Sequence, residues 1–140
     1  MIFVDTSVIV AASTPSDRRH EACIDLLAVA DSRGGACATH TLAEVFAVLT
    51  GRPAPLRMPP SDAAKLVAHT RKRLTVVSLT PTEYLAAIQG LAALGHSGGM
   101  VYDALLLACA RKSKANRIYT LNQKHFRLVA PDMASRILEP

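Results

Sequence analysis

Aromatic side chains are scarce in this sequence of 140 residues, which contains no Trp and only 4% aromatic residues in all. The core must therefore be aliphatic, and a surface that holds bases on many stacked rings is not expected. Apolar runs are also short, since none approaches the roughly 18 residues of a membrane span. No basic segment precedes the first apolar run, as it would in a signal peptide. These absences predict a cytoplasmic protein without a membrane span.

Cysteine is also scarce, with only three residues in the chain. They lie far apart, at Cys23, Cys37 and Cys109, and form no Cys-x-x-Cys pair. This spacing excludes a zinc knuckle and a disulfide framework. Each cysteine lies among Ala, Leu or Val, where a free cysteine usually serves as a small core residue. The cysteines therefore predict a reducing compartment.

Apolar residues make up half of the chain, and the mean hydropathy is +0.22. That composition excludes a disordered chain, and the length predicts one domain, residues 1–140, with one sizeable core. Sixteen Lys and Arg residues against eleven Asp and Glu residues give a net charge of +5. A basic balance favours a partner rich in phosphate or an acidic protein, without choosing between RNA, DNA and protein.

Short β-prone runs alternate with helical patterns along the chain. The predicted strands are residues 2–4, 36–39, 74–79, 117–120 and 136–138. The predicted helices are residues 8–12, 18–30, 42–50, 61–71, 81–94 and 101–113, with a short helical turn near 125–126. Strands that alternate with helices imply an α/β fold, a three-layer α/β/α sandwich whose central sheet is mostly parallel.

Three of the acidic residues lie in apolar surroundings, just past a strand or in the first turn of a helix: Asp5, Glu44 and Asp103. Ligands of a parallel sheet bind outside the carboxyl ends of its strands. If the first and fourth strands are neighbours, these acids and Asn122, which follows the fourth strand, face one crevice. Two carboxylates about 4 Å apart repel by roughly 4 kcal/mol. Such a site either raises a pKa or holds a cation.

Oxygen ligands without clustered His or Cys suit Mg²⁺ or Mn²⁺ better than zinc. A hard divalent ion between carboxylates can bind a phosphate oxygen and lower the pKa of a bound water. Together with the basic charge, this cluster indicates phosphodiester hydrolysis.

Each of these polar residues also has a structural interpretation. Thr41 and Glu44 have the spacing of a capping box, and Asp103 would complement a helix N-terminus. Asn122 suits a turn, whereas a carboxylate that ends a buried strand, as Asp5 does, needs a partner. The five histidines show no ligand spacing, and we expect surface or loop positions for all of them: His20, His40, His69, His96 and His125.

Four segments of the sequence occur in a characteristic order. They are residues 1–7 (MIFVDTS), Glu44 near a helix start, residues 102–108 (YDALLLA) and residues 118–122 (IYTLN) ahead of residues 125–126. In this order the chain resembles the PIN-domain ribonucleases, and in particular the toxins of VapBC toxin–antitoxin pairs, over nearly its whole length. The resemblance implies a Mg²⁺- or Mn²⁺-dependent endoribonuclease that cleaves structured RNA, typically tRNA or ribosomal RNA.

The resemblance also implies roles for individual residues. Asp5, Glu44 and Asp103 would hold the metal directly or through water, with Asp5 and Asp103 as the direct ligands. Asn122 stands where many PIN domains have a fourth acid, and it supplies an oxygen without a negative charge, which favours one tightly held ion. Three hydroxyl side chains would orient carboxylates or water from supporting positions: Thr6, Ser7 and Thr120.

Partners are implied as well. Basic residues 71–73 (RKR) and 111–114 (RKSK) would hold the RNA backbone. The resemblance implies a homodimer and a small antitoxin that wraps the toxin with a helical segment, and residues 8–12 and 42–49 are the candidate contact surfaces.

Two other interpretations stay open at this point. The first is a catalytically inactive PIN-like module that binds RNA or protein, which Asn122 allows and which the retained acids oppose. The second is a phosphoacceptor receiver domain, which needs an acceptor Asp at a strand end in mid-chain and a later Lys. The sequence does not have that arrangement.

Overall fold

The computed structural model describes all residues from Met1 to Pro140. Its five strands are β1 (Ile2–Val4), β2 (Gly35–Ala38), β3 (Thr75–Val77), β4 (Arg117–Tyr119) and β5 (Ile137–Leu138). They form one sheet in the order β3-β2-β1-β4-β5, and every neighbouring pair is parallel. The predicted α/β fold is confirmed, and so is the pairing of the first and fourth strands on which the predicted crevice depends.

Seven α-helices connect the strands: α1 (Thr6–Ala12), α2 (His20–Arg33), α3 (Thr39–Gly51), α4 (Pro60–Arg73), α5 (Pro81–Ala93), α6 (Met100–Lys112) and α7 (Gln123–Val129). A 3-10 helix at Pro131–Arg136 precedes β5. Helices α1 to α4 pack on one face of the sheet, whereas α6 and α7 pack on the other face and α5 packs against α6. No helix combines the length and the apolar character needed to cross a membrane.

The central strand β1 shows why both faces of the sheet are covered. Ile2 and Val4 belong to the apolar cluster on the α1–α4 side, while Phe3 belongs to the cluster on the α6–α7 side. Side chains alternate between the two faces of a strand, so a strand that is apolar at every position needs helices on both sides. All three side chains are buried, and each contributes about 1.5–3 kcal/mol to folding.

Two consecutive glycines end α2 and begin β2, as the sequence predicts. Gly34 has a φ of +83°, a conformation that side chains with a Cβ rarely adopt. A Cβ on Gly35 would lie 2.7 Å from side-chain atoms of Ala30 and Leu74. Gly34 therefore allows the tight turn, and Gly35 allows the strand to approach α2 and the end of α4.

Helix starts differ from the predicted ones. Helix α3 begins at Thr39 directly after β2, so Thr41 lies inside the helix and its buried Oγ1 has no hydrogen-bond partner. The capping box predicted for Thr41 and Glu44 is wrong, because the strand runs into the helix without a loop residue to act as the cap. Helix α4 begins at Pro60 rather than at the predicted residue 61, because the fixed φ of proline suits the first helical position. The capping box of Thr80 and Glu83 is present.

Other elements also differ in extent. The helical turn expected near residues 125–126 is the seven-residue α7, anchored by the fully buried Phe126. The candidate contact surface at residues 8–12 is wrong for most of its length, because Val8, Ile9, Val10 and Ala11 are buried in the core. The second surface keeps exposed apolar side chains, those of Phe46 and Val48.

Candidate active site

Four chain segments meet at the carboxyl edge of the sheet. Asp5 follows β1, and its backbone N–H donates to the carbonyl of Tyr119 in β4 over 3.0 Å. Asn122 precedes α7, Glu44 lies in the second turn of α3, and Asp103 lies in the first turn of α6. These four polar residues line one pocket of about 330 Å³. The structure thus places together the residues that the sequence predicts as catalytic.

Asp5 is buried, and hydroxyl groups hold its carboxylate. Its Oδ2 accepts hydrogen bonds from Ser7 Oγ and, over 2.8 Å, from Thr120 Oγ1. The backbone N–H groups of Leu121 and Asn122 donate in turn to these two hydroxyls, each over 3.0 Å. Oδ1 accepts no hydrogen bond from a side chain and is not fully enclosed. The network therefore fixes one oxygen of Asp5 and leaves the other available to a ligand.

The other two carboxylates differ in how they are held. Thr6 Oγ1 donates to Glu44 Oε2 over 2.6 Å, which joins the first residue of α1 to α3. Asp103 accepts no hydrogen bond from another side chain, and none of the five salt bridges of the structure includes Asp5, Glu44 or Asp103. The pocket therefore gathers three acids that form no salt bridge.

Burial and mutual repulsion change the acidity of the site. Burial raises the pKa of Asp5, although hydrogen bonds from Ser7 and Thr120 oppose the effect, and the negative charge of Glu44 adds to it. Burial, and then the charge of Asp5, raises the pKa of Asp103 to about 6, while His125 acts in the opposite direction. A cation bound between these groups would stabilise their ionised forms.

The oxygen donors of the pocket suit a hard cation, although the acids do not surround a metal position on all sides. No group of three His, Cys, Asp or Glu side chains in the structure is arranged to hold a metal ion. Mg²⁺ commonly takes only one or two carboxylates and keeps several waters. Asp5, through its free Oδ1, and Asp103 can supply those two carboxylates, and Glu44 has one oxygen without a hydrogen bond. The site therefore suits one ion held by two acids and water.

Basic residues approach the pocket from two sides. Arg19 and Arg52 line it, although Arg19 pairs with Asp17 and Arg52 donates to the hydroxyl of Thr14 over 2.7 Å. A second cleft of about 640 Å³ shares Leu121 and Asn122 with the acidic pocket and is also lined by basic residues: Lys124, His125 and Arg127. The two clefts therefore adjoin at Leu121 and Asn122.

The basic residues predicted to hold RNA lie elsewhere. Residues 71–73 end α4 just before β3 begins, which places them at the amino edge of the sheet, opposite the pocket. Arg73 pairs with Asp31, and Arg111 and Lys112 are held by acids on the 3-10 helix and α5. The prediction missed the basic residues of α7, although their closeness to Asn122 in the sequence could have indicated them.

The five histidines are all exposed or half-buried, as predicted. His20 Nδ1 lies 3.1 Å from the carbonyl oxygen of Ala11, and His69 lies beside Arg73. His40 stacks on the ring of Tyr102, with ring centroids 5.0 Å apart. None of the histidines belongs to a metal-binding group.

Comparison with known proteins identifies the class. The family model described as the PIN domain matches residues 2–130. The chain therefore belongs to the PIN domain family. It is 36% identical over 112 residues to Ribonuclease VapC27 of Mycobacterium tuberculosis, an alignment that covers 80% of this chain and 78% of that protein. The resemblance to PIN-domain ribonucleases of the VapC type is confirmed by this relative.

Solved structures share the fold at lower identity. Mycobacterium tuberculosis VapC20, described as a toxin that cleaves the sarcin-ricin loop, has a TM-score of 0.72 and 24% identity, with coverage of 89% of this chain and 92% of that one. VapBC2 from Rickettsia felis, bound to a promoter DNA fragment, has a TM-score of 0.67 and 17% identity, with coverage of 99% and 98%. FitAB bound to a DNA fragment has a TM-score of 0.66 and 16% identity, with coverage of 100% and 95%.

Proposed function

We propose that this protein is an endoribonuclease that hydrolyses phosphodiester bonds of structured RNA with Mg²⁺ or Mn²⁺, as the toxin of a type II toxin–antitoxin pair in the cytoplasm. The observation that carries the proposal is a pocket in which Asp5 and Asp103 lie together and neither forms a salt bridge. VapC27 is named a ribonuclease, and VapC20 is described as cleaving an RNA loop, which supports RNA as the substrate.

The residues of the pocket divide the work. Asp5 and Asp103 would hold the ion, which when bound supplies positive charge to a phosphate oxygen and lowers the pKa of a water. Ser7 and Thr120 orient Asp5, so that its free oxygen keeps one direction. The amide of Asn122 adds a neutral donor and acceptor on the same side of the pocket, where it can hold water or a substrate oxygen.

RNA would reach the acids along the acidic pocket and the neighbouring cleft, both of which are lined by basic residues. Arg19 and Arg52 line the acidic pocket, and Lys124 and Arg127 line the neighbouring cleft. These cations can hold backbone phosphates on either side of the cleaved bond and offset their repulsion from the three acids.

An antitoxin partner and a homodimer complete the proposal. The VapBC2 and FitAB structures are complexes, which supports a protein partner for this chain. The exposed side chains of Phe46 and Val48 on α3 are the remaining candidate contacts. Co-purification with a small protein is expected when the neighbouring gene is expressed with this one, and a monomer at high concentration would contradict the homodimer.

The proposed function is tested by cleavage of total tRNA and ribosomal RNA by the purified protein. Cleavage is expected with Mg²⁺ or Mn²⁺ and not in EDTA. Asp5→Asn and Asp103→Asn should each reduce the rate more than about 100-fold, because direct ligands exceed the effect of their outer-shell partners. Asp25→Asn, an exposed residue of α2, is the matched control. Full cleavage in EDTA would refute the metal mechanism.

The second candidate function is an inactive module of the same fold. Asn122 in the pocket and the lack of a three-acid metal group favour it. RNA binding by the wild-type protein without cleavage at any Mg²⁺ or Mn²⁺ concentration would support this alternative.

A further inference from the structure

Two aromatic rings stack near the starts of the helices that carry Glu44 and Asp103. The rings of His40 and Tyr102 are nearly parallel, with an angle of 4° between their planes and 5.0 Å between their centroids. His40 lies in the first turn of α3 and Tyr102 in the first turn of α6. We refer to this stacked pair as the aromatic platform. It joins the two helices that carry Glu44 and Asp103.

The platform adjoins the acids through the geometry of both helices. His40 and Glu44 are four residues apart, so they lie on the same face of α3, about 6 Å apart along its axis. Tyr102 immediately precedes Asp103 in α6. We therefore expect a ligand bound at the acids to extend towards the platform.

Tyr102 is more exposed than a purely structural ring. Its side chain is 48% exposed although one face is covered by His40, and its hydroxyl forms no hydrogen bond within the chain. A tyrosine whose task is to join two helices would be covered on both faces and would find a partner for its hydroxyl. The exposed part is thus available to a flat molecule.

We propose that the aromatic platform is a nucleobase subsite, in which the base of a nucleotide next to the cleaved phosphodiester stacks on Tyr102. This inference rests on the proposed ribonuclease function and adds a contact that positions the substrate. Proteins that read structured RNA commonly splay bases out of loops and stack them on Tyr or His rings. His40 supports the ring from behind and keeps it parallel to the entering base.

The charge of the pocket explains why an uncharged contact is needed there. Asp5, Glu44 and Asp103 repel the phosphates that flank the cleaved bond, and the basic residues lie on α7 and near α1 rather than beside the platform. Stacking is independent of charge and tolerates any base, because every base has a π-face. Stacking on the ring would therefore hold the nucleotide without depending on the charge of the pocket.

The test uses a hairpin oligoribonucleotide copied from the site at which the wild-type protein cuts total tRNA and ribosomal RNA. 2-Aminopurine replaces one base at a time, and binding is measured with the inactive Asp5→Asn protein in Mg²⁺. The chain has no Trp, so protein fluorescence does not obscure the probe. Quenching is expected at one position next to the cleaved bond.

Variants identify the ring responsible. Tyr102→Leu should abolish the quenching and weaken binding roughly 5- to 100-fold, the range for loss of one stacked base. Tyr102→Phe keeps the ring and should keep both signals. Leu85→Ala removes an exposed apolar side chain from α5 and should leave both unchanged.

An abasic nucleotide separates substrate contact from helix packing. At the quenched position it should weaken binding to the Asp5→Asn protein as much as Tyr102→Leu does, and the two losses should not add. Additive losses, or no loss from the abasic nucleotide, would overturn the subsite. Thermal melting followed by circular dichroism reports whether each variant is folded. The quenching and abasic measurements use the Asp5→Asn protein with Tyr102 intact, so they remain informative even if Tyr102→Leu does not fold.

The outcome also separates this subsite from the proposed function. If the wild-type protein cuts RNA while Tyr102→Leu and the abasic nucleotide have no effect, the subsite is refuted and the ribonuclease stands. If the wild-type protein cuts no RNA with Mg²⁺ or Mn²⁺, the proposed function fails and the subsite fails with it.

Discussion

Acidic residues in the pocket differ from acidic residues elsewhere on the molecule. On the 3-10 helix, Asp132 binds Arg111, and this cation holds the pKa of Asp132 below its ordinary value. Asp5 and Asp103 bind no cation, and burial raises the pKa of both. Ionisation of the pocket acids therefore opposes folding, whereas ionisation of Asp132 favours it. Acids whose pKa is raised by burial, without a paired cation, are typical of functional sites.

After loss of the acids themselves, the largest effect is expected where the pocket loses the hydroxyls that hold Asp5. Ser7→Ala or Thr120→Val should lower RNA cleavage about 10- to 100-fold, because the carboxylate is no longer oriented and its pKa rises further. Ser113→Ala is the control, since that hydroxyl bonds only to the carbonyl of Ala110. Rates measured against pH should show a greater loss at low pH. Equal impairment of Ser113→Ala would contradict this role of the hydroxyls.

The second prediction concerns folding stability, and it compares the unpaired Asp103 with the paired acids elsewhere on the molecule. The pKa of Asp103 is about 6 in the folded protein, against an ordinary value of 3.8, so the folded state binds more protons between these two pH values. The contribution of Asp103 to the free energy of unfolding is therefore greatest below about pH 4, and it is lost as the pH rises through about 6 and the carboxyl group ionises.

Asp103→Asn removes the cost of ionising Asp103. In EDTA the variant should be more stable than the wild type by about 1–3 kcal/mol at pH 7, with a smaller difference at pH 4. Urea unfolding at the two pH values measures both quantities. A variant that is less stable at pH 7 would show that Asp103 has a favourable partner in the folded protein.

The smallest effect concerns the paired acids. Asp132→Asn breaks the ion pair with Arg111, whose two side chains are about half exposed. Such surface pairs contribute about 1 kcal/mol or less, and salt screens them. Urea unfolding should show a loss below about 1 kcal/mol that shrinks at high salt, with unchanged RNA cleavage. If Asp132→Asn lowered the free energy of unfolding by as much as Asp103→Asn raises it, the contrast between the paired surface acids and the unpaired pocket acids would be contradicted.

Periodicity in the sequence was sufficient to predict the sheet and its layers. Apolar runs such as residues 2–4 can be satisfied only between two layers of helices, and that requirement is local enough to see in the sequence. The position of Asp5 after such a run also placed it at the carboxyl edge. The pairing of β1 with β4 had to be assumed, because it joins segments that no local pattern connects.

Contacts between distant residues could not be predicted. Thr6 was expected in a supporting position, but only the structure shows that its hydroxyl binds Glu44. Residues 71–73 are adjacent in sequence, yet they lie at the opposite edge from the acids, while Arg19 and Arg52 converge on the pocket from separate segments. Clusters in the sequence indicate charge, and only the path of the chain decides where that charge lies.

The hydrogen bond from Thr120 to Asp5 spans 115 residues of chain. During synthesis β1 emerges before β4, and its second edge is covered only once β4 has been added. Until then Asp5 lacks the hydroxyl of Thr120 that binds its Oδ2. For a protein that cuts RNA, this order delays the assembly of the cutting edge until the ribosome has added the segment that contains Thr120.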